Sequence, residues 1–142
     1  MNASVVAIGD TINDVLIAAG EVGKGRVVVM THTDYAINFT IGTNSNPSIL
    51  GLQANVKGWL TRGSSYSTLN IMEASTYLKT TDTTALSLVK ILFFTEPVRE
   101  WTDQNMASIL NFVRNGGGLF VASTPWSWLI TNKPRKFDYM LT

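Results

Sequence analysis

Apolar residues fall into short unbroken runs near the start of this chain and into helical spacings further on. Ser4 to Ile8 is branched and apolar and is closed by Gly9-Asp10, which predicts a strand followed by a turn. Asp14 to Glu21 (DVLIAAGE) and Arg26 to Thr31 (RVVVMT) predict two more strands. Val22-Gly-Lys-Gly25 joins them, and its glycines suit the positive φ of a hairpin turn. Val27 to Met30 is apolar at every position, the pattern of a strand buried on both faces.

Further on the period lengthens. Asn46-Pro47 supplies an N-cap and a first helical residue, and Ile49, Leu52, Val56, Trp59 and Leu60 recur at helical spacing, predicting an amphipathic helix over Pro47 to Thr61. Leu69 to Met72 predicts a short strand, and the threonine-rich stretch Thr80 to Thr84 a connection. Val89 to Thr95 (VKILFFT) predicts a strand stopped by Glu96-Pro97. Thr102 then caps a helix over Asp103 to Asn115, with Trp101 and Met106 spaced as a hydrophobic staple. The helix runs into Gly116 to Gly118 and the strand Leu119 to Ser123. Phosphate loops run strand, glycines, helix; here the order is reversed, so the glycines predict a joint and not an anion cradle. Ser123-Thr124-Pro125 ends the strand and starts a helix over Trp126 to Ile130. The fold class predicted is α/β: a three-layer Rossmann-like sheet, mainly parallel, with an early β-hairpin, in one domain over 1–142.

Composition narrows the chemistry. A chain of 142 residues with 45% apolar side chains can bury a real core, which excludes a disordered reading. Eleven basic and 10 acidic side chains, net +1, are scattered along the chain, so no nucleic-acid partner is expected. With no cysteine there is no disulfide, zinc–thiolate site or cysteine nucleophile, and one histidine leaves few ways to hold a transition metal. No cofactor and no metal are expected. The longest apolar run, Leu86 to Phe94, contains Lys90 and is about half of a membrane span, and the N-terminus lacks the basic start of a secretory signal. These features predict no transmembrane segment and a place inside the cell.

Two stretches carry a resemblance. "GEVGKGRVVVMTHTDY" (Gly20 to Tyr35) and "ILNFVRNGGGLFVASTPWSWL" (Ile109 to Leu129) resemble the glutamine-amidotransferase-like domain of the TRP-channel-associated factor (TCAF) family. The shared pattern is a Gly-Lys-Gly-Arg turn into an apolar strand ending at histidine, then a helix, a glycine triplet, a strand and a tryptophan pair. The resemblance implies a class I amidotransferase-type fold without its chemistry. Active relatives place a cysteine on the turn after a strand, with a histidine downstream; here that turn is Thr124-Pro125-Trp126 and no histidine follows. It also implies a regulator that binds a TRP-type cation channel at the cytoplasmic face of the plasma membrane, with peripheral membrane association. The family's peptidase-like region with its His-Glu-x-x-His helix has no counterpart, so the chain is expected to be a fragment or short paralogue.

Ligands of open α/β sheets bind beyond the carboxyl ends of the strands, which selects His32, Asp34, Ser123, Thr124, Trp126 and Trp128. His32, Asp34 and Ser123 are the weak candidates for a base, an orienting acid and a nucleophile; no Gly-x-Ser-x-Gly elbow surrounds the serine, and none is expected to be catalytic. Thr124, Trp126 and Trp128 are the binding candidates. Core packing is favoured for Trp126, which leaves Trp128 the better candidate for exposed contact. Lys133, Arg135 and Lys136 read as a solvated exit loop, in preference to a patch for anionic lipid or an acidic partner. The leading expectation is a non-catalytic binding module. The alternatives are a hydrolase using Ser123 or Thr124 with His32, and a small-ligand or carbohydrate-binding domain.

Overall fold

The computed structural model describes residues 2–8, 15–95 and 102–123, with residues 2–8, 15 and 16 described by backbone alone. Six strands form one sheet: β1 (Asn2–Ile8), β2 (Val15–Val22), β3 (Gly25–Met30), β4 (Ile71–Glu73), β5 (Ile91–Phe94) and β6 (Gly118–Ala122), in the order β1-β2-β3-β6-β5-β4. β1, β2 and β3 pair antiparallel, and β3, β6, β5 and β4 form a parallel block. The β2–β3 hairpin turns through Gly23 at φ +61°, as the glycines predict.

Four helices of α type complete the described fold: α1 (Pro47–Leu60), α2 (Ala74–Lys79), α3 (Thr83–Leu88) and α4 (Asp103–Arg114). The chain runs outward from β3 to β4 through α1, then returns through β5 to β6 by way of α2, α3 and α4. Right-handed crossovers taken in opposite directions deposit their helices on opposite faces. Thus α1 contributes Val56 and Leu60 to a core with Val28, Met30, Ile91 and Phe120, while α4 contributes Ile109 and Val113 to a second core with Leu92, Phe94, Leu119 and Val121. The three layers follow. β6 lies centrally in this sheet, all five of its residues are buried, and Phe120 alone contributes about 1.5–3 kcal/mol by leaving water.

Local chemistry sets the ends of these helices. Asn46 accepts a hydrogen bond from the Ser48 N–H, and Thr102 and Asn105 form a reciprocal capping box. Gly116, at φ +115°, turns the chain out of α4. The N–H groups of Gly116, Gly117 and Gly118 donate to the carbonyls of Val113, Phe112 and Lys90, so none is free to hold an anion and the triplet is a joint.

Three expectations change. The stretch around Thr80 to Thr84 joins two six-residue helices, α2 and α3, whose Asp82 cap accepts from the Thr84 and Ala85 N–H groups. Six residues are too few to show helical periodicity in sequence. The strand expected at Leu69 to Met72 lies at Ile71–Glu73, preceded by a 3-10 turn over Thr68–Asn70. And β3 is not buried on both faces along its length: Val29 is 39% exposed. α4 meets the start of β3 at Gly25 and shares a core cluster with Val27, while Val29, two residues on, stays exposed. Trp101 and the helix expected over Trp126 to Ile130 lie outside the described residues.

Candidate functional site

At the carboxyl edge of the parallel block, Met30 pairs with Ala122, and the Ser123 N–H donates to the Met30 carbonyl at 3.1 Å. This brings Ser123 beside the segment that carries His32 and Asp34, as the strand-end argument predicts. His32 caps the 3-10 turn Thr33–Ala36, and its Nδ1 accepts from the Asp34 N–H at 3.2 Å. Asp34 Oδ2 lies 3.5 Å from the same Nδ1. A ring nitrogen that accepts from an amide has no proton of its own, so the neutral imidazole carries its proton on Nε2. While Nδ1 accepts from that amide, the ring cannot take a proton at Nε2. Ser123 is buried, and its Oγ has no hydrogen-bond partner among the described residues, His32 included. The three residues share an edge without forming a base–nucleophile pair. Thr124, Trp126, Trp128 and the cluster Lys133, Arg135 and Lys136 lie outside the described residues.

Sequence reasoning passed over two residues that fix this edge. Gln53, 1% exposed, donates through Nε2 to the carbonyls of Tyr35 and Ile37, both at 2.9 Å, and so ties the loop after β3 to α1. Lys57, one turn on, is buried with its ammonium 4.7 Å above the Phe39 ring. Burial lowers the Lys57 pKa below its ordinary value. Phe39 stacks in turn on Phe120 at 4.5 Å. The available signal was polarity out of place: Gln53 and Lys57 sit four apart, adjoining the apolar positions Leu52, Val56 and Leu60.

A hollow lies at the opposite, amino edge. A groove of about 750 Å³ runs between the ends of α1 and α4, with Arg62, Tyr77, Leu86, Lys90 and Phe112 among its lining residues. Beside it Arg26 and Arg62 both reach the Glu21 carboxylate, at 3.0 and 3.2 Å, and the hydrogen bond from Arg26, followed by the Arg62 charge, lowers the Glu21 pKa. Arg26 also lies 4.7 Å from the Trp59 ring. Among the described residues no three His, Cys, Asp or Glu side chains gather where a metal could bind, and no helix is long and apolar enough to cross a membrane.

This arrangement defines a mixed α/β sandwich domain with two distinct sheet edges and, among its described residues, no assembled catalytic pair. The chain belongs to the TCAF_N family: the family model described as "TRPM8, N-terminal domain" matches residues 4–139. It is 32% identical over 128 residues to a TRPM8 channel-associated factor homolog of Xenopus laevis, covering 84% of this chain. It is 31% identical over 127 residues to TRPM8 channel-associated factor 1 of Bos taurus, covering 87% of this chain. In each case the match spans 13% of the relative's length. No solved structure matches.

Proposed function

We propose that this chain is a non-catalytic binding module of the channel-associated-factor type, which engages a TRP-type cation channel by protein contact at the cytoplasmic face of the membrane. Membership of the TCAF_N family carries this reading, because both relatives are named for association with the TRPM8 channel. Since the matched region is a small part of those proteins, channel regulation is transferred here as a property for the module to share in, not as one it performs alone. The His32 geometry supports a non-enzymatic role: its Nδ1 lone pair is occupied by the Asp34 amide. The parallel block, with α1 on one face and α2 and α4 on the other, supports the amidotransferase-like version of the fold. In this reading Thr124, Trp126 and Trp128 with the strand-end loops form the contact surface.

The test is capture of detergent-solubilised TRPM8 by the purified chain, run alongside hydrolysis of a p-nitrophenyl ester. Channel should be captured by the wild type and by His32→Ala, less by Trp128→Ala, and no variant should turn over ester. Turnover that disappears in His32→Ala with the fold intact would replace this reading with a hydrolase using Ser123 or Thr124.

A further inference from the structure

Charges that are scattered in the sequence are gathered by the topology. Lys24 lies in the β2–β3 turn, Arg62 just past α1, Lys90 just before β5 and Arg114 at the end of α4, all at the amino edge. Arg62 and Lys90 line the groove, and Lys24 and Arg114 stand next to its lining residues Gly116 and Asn115. The described acids Asp34, Glu73 and Asp103 lie at the other edge, after β3, at the end of β4 and at the start of α4. Among the described residues only Glu21, shared between Arg26 and Arg62, and Asp82 at the start of α3 oppose the cations on this side. Complementing helix dipoles accounts for Arg114, but Lys24, Arg62 and Lys90 stand on turns and loops outside any helix. The Lys24 and Arg114 side chains are exposed and form no ion pair or side-chain hydrogen bond among the described residues.

We infer that the amino-edge groove is a docking site for an acidic segment of a partner protein, an inference that rests on the binding-module reading and adds a second surface, with its partner chemistry, to the strand-end surface. The groove supplies two things such a segment needs. Tyr77, Leu86 and Phe112 offer apolar lining for anchor side chains, and the cations around them match carboxylates spaced along the segment. A lone phosphate fits less well, because the glycine N–H groups at this joint are all engaged within the protein. A flat lipid surface fits less well too, because the site is concave. Nucleic acid calls for a continuous basic track without an apolar floor.

The probe is a fluorescein-labelled synthetic peptide of about 14 residues, rich in Glu with Leu and Phe four apart, a helix spanning about 20 Å. Its partner control replaces every Glu with Lys. The acidic peptide should bind saturably and weaken with added salt, the lysine peptide should not bind, and Lys24→Glu/Arg114→Glu should raise Kd by at least about tenfold with circular dichroism unchanged. Equal binding by wild type and the double variant, or no saturable binding by wild type, overturns the inference. Tighter capture of phosphatidylserine vesicles or an oligonucleotide than of the peptide also overturns it. Channel capture separates the two levels. If the wild type binds the peptide but fails to capture TRPM8, the channel reading falls and the groove stands; if the double variant loses nothing in channel capture and wild type ignores the peptide, the groove falls and the channel reading stands.

Discussion

Gly25→Ala should be far more damaging than its place at the start of a strand suggests. In a strand this exchange ordinarily gains about 0.5–1 kcal/mol, because alanine has less backbone freedom to lose. Here a Cβ on residue 25 would stand 2.0 Å from the Val113 carbonyl oxygen and 2.4 Å from that of Gly117. Both neighbours are backbone, so no side chain can swing aside; the end of α4 must retreat by about 1.4 Å to reach ordinary contact. That retreat pulls on two hydrogen bonds, Lys24 N–H to the Arg114 carbonyl at 3.0 Å and Arg26 N–H to the Gly117 carbonyl at 3.3 Å. Overpacking at about 1–3 kcal/mol, with about 1 kcal/mol for each weakened bond, gives a loss of about 3–5 kcal/mol. For a chain of this size that is about 10–15 °C in Tm. Thermal and urea denaturation followed by circular dichroism measure it. Gly51→Ala is the control: nothing lies within 4 Å of a Cβ there, so relief of a mid-helix glycine should raise stability by about 0.5–1 kcal/mol. A Gly25→Ala protein melting within about 3 °C of wild type would refute the claim that the hairpin turn is seated against α4.

Other perturbations read different parts of the molecule. Lys57 has its pKa lowered by burial, so below the unfolded value of 10.5 the unfolded chain binds the proton more readily, and stability should rise as pH climbs through the folded value toward 10.5. Lys57→Met should flatten that alkaline rise in urea titrations at successive pH values and add up to about 1 kcal/mol at neutral pH. Gln53→Leu strips the carbonyls of Tyr35 and Ile37 of their donor, at a cost of about 1–3 kcal/mol, and hydrogen exchange at the Ile37 and Phe39 amides should quicken by about tenfold or more. Thr102→Ala removes the acceptor of the Asn105 N–H and should cost about 1 kcal/mol, read as a lower urea midpoint with unchanged slope.

What could be read in the sequence was whatever short-range chemistry determines. The hairpin glycines, the Asn46 and Thr102 caps and the glycine joint each act over a few residues, and each appears in the structure where its pattern placed it. α2 and α3 escaped because six residues rich in threonine and serine carry too little periodicity, and tertiary contacts, of α2 with β4 and β5 and of α3 with the 3-10 turn Thr68–Asn70, decide their state. Val29 was misjudged because an apolar run records what a strand can bury, not how far α4 extends over it. At the candidate site, the topology rule brought Ser123 to the same edge as His32 and Asp34, but which atom occupies the His32 Nδ1 depends on the shape of one turn. The basic edge left no local trace at all: Lys24, Arg62, Lys90 and Arg114 are separated by dozens of residues and meet only through the strand order.

That strand order also sets a timetable for synthesis. β3 can close its hairpin with β2 as soon as both leave the ribosome, but the partner on its other side, β6, begins 88 residues after Met30. At about 5–20 residues per second, the inner edge of an apolar strand waits roughly 5–20 s for its neighbour. Through that interval Val27 to Met30 offers unpaired main chain and bare valines to anything nearby, which makes the nascent hairpin the stage at which a chaperone is most needed and an aggregate most easily begun.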